Sequence, residues 1–176
     1  MTDLPPSSDH PVSPDGRRRP RLLVFDVNET LSDMAPLSGR FEDVGAPPHL
    51  AKLWFAELLR DGFALTVPGE LEPFATIGAE ALRVRLHGQP LDRPLDAAVD
   101  HVMQGFSELS VHPDVVEGVE ALAELGIRLV TLSNGSASVA DALLQGAGVR
   151  DRFERLLTVE DAGVWKPAAG AYAYAL

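Results

Sequence analysis

The 176-residue sequence contains no cysteine. Disulfides, thiol nucleophiles and cysteine-ligated zinc are therefore excluded. Histidine is sparse: His10, His49, His87, His101 and His112 are scattered, with no pair at metal-ligand spacing. Positive charge is also short, with Lys+Arg 15 against Asp+Glu 26 and a net charge of -11. Such a surface repels polyanions, so neither nucleic acid nor an anionic membrane is an expected partner. No apolar run reaches membrane-spanning length, and the N-terminus lacks the apolar stretch of a secretory signal. These absences fit a cytoplasmic protein. The rest of the composition, 45% hydrophobic and 23% charged, is ordinary for one core domain with a modest insertion.

Residues 1–20 are rich in Pro, Ser, Asp and Arg and have no periodic apolar face, which predicts a disordered tail. It ends in the cluster Arg17, Arg18, Arg19 and Arg21, read as solvated rather than as a nucleic-acid contact. Order begins at the apolar run Leu22-Leu23-Val24-Phe25, closed by Asp26, which suits a parallel strand buried on both faces. Helical stripes follow at Leu50, Leu53, Trp54, Leu58 and at Leu95, Val99, Val102, Met103, Phe106. With the punctuating prolines and glycines, they predict three or four helices between about 47 and 107.

From His112 the pattern alternates. Val115, Val116, Val119, Leu122 and Leu125 mark a helix that stops at Gly126, and Ile127–Leu132 reads as a second buried strand. Val139, Leu143, Leu144 and Ala147 mark another helix; Leu156–Val159 reads as a third strand. Strand and helix in alternation predict an α/β fold with a doubly wound parallel sheet. The core would comprise residues 21–33 and 108–176, with a helical insertion over 34–107.

Ligands of open parallel sheets bind at the carboxyl ends of the strands. Asp26 with Thr30, Ser133 with Asn134, and Lys166 all fall there. Taken singly, each is an ordinary turn or helix-entry residue. Together they make a coherent site. A carboxylate can attack an electrophilic carbon or phosphorus to form an ester or acyl phosphate that water later cleaves. A lysine beside it favours the charged form and attracts an anionic substrate. Ser133, Asn134 and free backbone N–H groups can bind further substrate oxygens.

Asp26-Val27-Asn28-Glu29-Thr30-Leu31, then Leu132-Ser133-Asn134-Gly135-Ser136, then Lys166-Pro167 with Tyr172, resemble the haloacid dehalogenase superfamily in order and spacing. Within it the sequence is most similar to the type II 2-haloacid dehalogenases. The resemblance implies a Rossmann-like core with a helical cap, and Asp26 as nucleophile oriented by the Thr30 hydroxyl. It implies Lys166 as the cation beside Asp26, Ser133 and Asn134 as ligands of the substrate carboxylate and halide, and Tyr172 as pocket wall. It implies a small anionic substrate and no cofactor or metal; a homodimer is compatible with it.

Phosphatases of the superfamily carry a second Asp two residues after the nucleophile to protonate the leaving alkoxide. Here that residue is Asn28, whose amide gives up no proton near neutral pH, whereas halide leaves without one. Asn28, placed among the substrate-binding residues, thus favours carbon–halogen chemistry over a magnesium-dependent phosphatase; a non-catalytic binding module is the other alternative. Two departures from the family accompany this. Its halide-gripping arginine, after Leu-Trp, is Phe55 here. Arg60 turns to a different side of the helix, leaving Arg40, in the loop before the cap, as a candidate to reach the site. The family also continues past the position of Leu176 with a strand beside the Asp26 strand and an active-site loop, so the core is expected to be C-terminally incomplete.

Overall fold

The computed structural model describes residues 19–176. The predicted tail thus lies, except for its last two residues, outside the described residues.

Three parallel strands form the sheet in the order β1 (Leu22–Phe25), β2 (Arg128–Ser133), β3 (Phe153–Thr158). Register pairs Phe25 with Thr131 and Ser133 with Thr158, so the carboxyl ends of the strands share one edge. β2 lies centrally and is buried from Leu129 onward. Its alternating side chains feed two layers. Leu129 packs with Val115, Val119, Leu143 and Leu144 of helices α5 (Val115–Glu124) and α6 (Ala137–Gly146). Val130 and Leu132 pack with Leu157, Leu22 and Ala175 on the opposite face. Helices therefore cover both faces, as a doubly wound sheet requires.

Between β1 and α5 lies an all-helical block: α1 (Leu37–Glu42), α2 (Leu50–Thr66), α3 (Phe74–Leu86) and α4 (Leu95–Ser107). Its core is centred on the fully buried Trp54, whose indole N–H donates to the Gly78 carbonyl at 2.9 Å and whose ring meets Phe106 edge-on. The chain leaves and re-enters the sheet domain through two adjacent segments. They are held together by Asp33 N–H donating to Ser110 O (2.8 Å) and His112 N–H donating to Leu31 O (2.9 Å).

Three sequence expectations are corrected. The third strand begins at Phe153, not Leu156, and Val159 opens helix α7 (Val159–Ala162) instead of ending the strand. As an outer strand, β3 accommodates the exposed Glu154 and Arg155; Arg128 of β2 grips Glu154 with three hydrogen bonds of 2.8, 2.9 and 3.0 Å. The Thr158 hydroxyl accepts the Asp161 N–H and starts α7. β1 is not buried on both faces. Among the described residues no strand pairs with its outer edge, and Val24 is 38% exposed. Leu53 is exposed, because Leu50, Trp54 and Leu58, spaced by four, set the inward face of α2 and position 53 falls behind it.

Candidate active site

Immediately after β1 the backbone folds on itself. The N–H groups of Thr30, Leu31 and Ser32 all donate to the Val27 carbonyl, at 3.3, 2.9 and 3.0 Å. Glu29 adopts a left-handed φ of 64°, unusual for a residue with a side chain, and its N–H donates to the Ser32 hydroxyl. This turn returns Thr30 to Asp26, and the Thr30 hydroxyl donates to Asp26 Oδ2 at 3.0 Å. Buried Val27 and Leu31 anchor the turn in the sheet core.

Lys166 arrives from the segment after α7. Its Nζ donates to Asp26 Oδ1 and to the Leu132 carbonyl, both at 2.6 Å, while its own N–H donates to Asn134 Oδ1 at 3.0 Å. One residue thereby joins the ends of β1 and β2. The lysine side chain is only 14% exposed, against 41% for Asp26, so the carboxylate faces solvent and the ammonium backs it. Lys166 is itself held by its neighbour. Trp165 is buried in the helical block, stacked on Phe74 (6.0 Å, 12°), with its indole N–H donating to Glu72 O at 3.2 Å.

An open cleft of about 750 Å³ lies over these groups. Asp26, Asn28, Thr30, Asn134 and Lys166 line its polar side. Phe55, Leu59 and Phe63 of α2 form the facing wall, and Pro167 with Tyr172 of helix α8 (Ala169–Ala175) closes a flank. Six of the seven residues singled out from sequence thus meet in one cleft. Ser133 does not line it. Its side chain is buried and its hydroxyl accepts the Gly135 N–H at 2.9 Å, which shapes the loop that presents Asn134. Gly135 also backs Asn28: a Cβ there would stand 3.4 Å from the Asn28 amide nitrogen.

The candidate arginines are elsewhere. Arg40 sits on α1, not in a loop; it lies across Gly105 and pairs with Glu108 at 2.6 Å. Arg60 pairs with Asp61. Phe55 occupies the cleft wall itself, and sequence reasoning noted it only as a missing arginine. Leu59 and Phe63 went unnoticed, although their spacing of four from Phe55 along α2 was the available signal. Lys166 occupies one Asp26 carboxylate oxygen, and no group of three His, Asp or Glu gathers among the described residues. Nor, among them, is any helix long and apolar enough to cross a membrane.

Comparisons with known proteins bear on the family. An (S)-2-haloacid dehalogenase of Pseudomonas sp. (strain YL) is 29% identical over 153 residues, which cover 85% of this chain and 65% of that enzyme. The (S)-2-haloacid dehalogenase 4A of Burkholderia cepacia is 28% identical, covering 88% and 68%. Among solved structures, the L-2-haloacid dehalogenase of Xanthobacter autotrophicus superposes with a TM-score of 0.78 at 25% identity, over 89% of this chain and 64% of that one. The chain therefore spans about two thirds of the length of these relatives. The sequence pattern of the haloacid dehalogenase-like hydrolases matches residues 20–176, and with it the chain belongs to that family.

Proposed function

We propose that the protein hydrolyses the carbon–halogen bond of 2-haloacids, with Asp26 as nucleophile. One observation carries this reading: a solvent-facing carboxylate whose two oxygens accept hydrogen bonds from Lys166 and Thr30, at 2.6 and 3.0 Å. Held this way, the carboxylate is aimed at a bound substrate before reaction begins, and its orientation needs no further ordering. An Asp26 oxygen attacks carbon 2, the carbon–halogen bond breaks, and halide leaves with the bonding pair. Water then adds to the Asp26 ester carbonyl and the ester bond breaks. The products are the 2-hydroxyacid, the regenerated carboxylate and one proton. Asn28 supports halide over alkoxide as leaving group, since it supplies no proton. Asn134, which lines the cleft, is read as holding the substrate carboxylate through its amide N–H, and the helical block is read as a cap that excludes water as it closes.

The test is halide release from 2-chloropropanoate, combined with a single turnover in ¹⁸O-water. Label recovered in the Asp26 carboxylate supports the ester route. Label found only in the hydroxyacid means that water attacks directly. Hydrolysis of an aryl phosphate that depends on magnesium, without halide release, overturns the proposal in favour of the phosphatase alternative.

A further inference from the structure

The chemistry of the cleft wall suggests which 2-haloacid fits. Phe55, Leu59 and Phe63 recur every fourth residue, so one stripe of α2 presents two aromatic rings and an isobutyl group to the site. Pro167 and Tyr172 line the same cleft. Two of these rings are uncovered, Phe63 at 39% and Tyr172 at 47% exposure, whereas Phe55, at 9%, is mostly packed in the helical core and gives the cleft only its outermost surface. Apolar rings at the mouth of a polar site are ordinary binding surface.

Charge points the same way. Among the described residues, Asp26 and Glu29 line the cleft against a single cation, Lys166, and that ammonium is already committed to Asp26 and the Leu132 carbonyl. Arg40 and Arg60 are bound to carboxylates outside the cleft. Among the described residues a haloacetate-sized anion would meet no guanidinium in the cleft, and it would leave the rings untouched. A substrate with an apolar arm gains from burying it.

We propose that the site prefers 2-haloacids carrying an aryl or arylalkyl substituent, with the ring lodged between Phe55, Phe63 and Tyr172. The inference rests on the dehalogenase reading above and sharpens it. Burial of a phenyl ring corresponds to roughly tenfold to hundredfold in affinity.

Two measurements separate the inference from the reading beneath it. Binding of the unreactive 3-phenylpropanoate and of propanoate to the full chain is compared by calorimetry. At least about tenfold tighter binding of the phenyl acid is expected, and equal or weaker binding overturns the preference. Halide release is then compared for 2-chloro-3-phenylpropanoate and 2-chloropropanoate, with the higher kcat/KM expected for the phenyl substrate. A phenyl preference in binding without halide release from either acid overturns the dehalogenase reading and leaves the ligand class standing. Phe63→Ala should pull the phenyl-to-methyl ratio toward one, and Phe55→Arg should tilt it toward the small acid. An unchanged ratio in both folded variants, checked by thermal melting, removes this wall from substrate selection.

Discussion

Gly62 of α2 lies flat against the indole of Trp165, one residue from Lys166. A Cβ on Gly62 would stand 2.6 Å from Cε3 and 2.7 Å from Cη2 of that ring. The ring has nowhere to go, since it is buried and stacked on Phe74. Alanine in place of a helical glycine ordinarily stabilises by about 0.5–1 kcal/mol, but overpacking a closed core costs about 1–3 kcal/mol. For Gly62→Ala the clash should dominate, with a lower denaturation midpoint and a larger fractional loss of halide release, because Trp165 carries Lys166 with it. Gly118 of α5 is the control. Nothing lies within 4 Å of a Cβ there, so Gly118→Ala should raise stability and leave turnover alone.

Lys166 should be indispensable for turnover and dispensable for folding. Lys166→Ala removes the cation that backs Asp26 and is expected to lower kcat by about 10²–10³-fold, the loss typical of one preorganised electrostatic partner. Circular dichroism should be unchanged. Arg40→Ala, outside the cleft, should retain kcat and lose stability where α1 meets α4.

Thr131, in the middle of β2, is fully buried, and among the described residues its hydroxyl has no hydrogen-bond partner. Thr131→Val keeps the shape and removes the unsatisfied group, so stability should rise by about 1 kcal/mol. Urea titration of the pair measures it; a fall in stability would mean that the hydroxyl is satisfied in solution.

Glu154 titrates below the usual carboxylate range, first because Arg128 donates hydrogen bonds to it and then because of the Arg128 charge. A carboxyl whose folded pKa is depressed adds stability above its unfolded pKa and loses it as pH falls through the folded one. The stability gap between the wild type and Glu154→Gln should therefore be open at neutral pH and close on acidification. Because the pair is exposed, added salt should narrow the gap as well.

Much of this arrangement was legible in the chain. Asp26, Asn134 and Lys166 could be placed at one edge because strand ends are written in short range, as an apolar run closed by a polar residue. What sequence left hidden depends on contacts distant along the chain. Ser133 and Asn134 are adjacent and both polar, yet one turns into the loop and the other into the cleft, a choice made by Gly135 and Lys166. Trp165 falls within the span 108–176 assigned to the sheet domain, but its ring stacks on Phe74 of the helical block and its indole N–H donates to the Glu72 carbonyl. The early start of β3 was masked by Glu154 and Arg155, whose charges are tolerated because the strand is an outer one.

The Lys166 ammonium is bound to Asp26, 140 residues earlier, and to the Leu132 carbonyl, 34 residues earlier. No local segment of the chain can make this arrangement, and long loops must close before it exists. Turnover is thus a stricter gauge of assembly than helix content. During refolding, helical signal should return before activity does, and a destabilising change anywhere along the route from β1 to α8 should appear as lost catalysis while most of the protein still scores as folded.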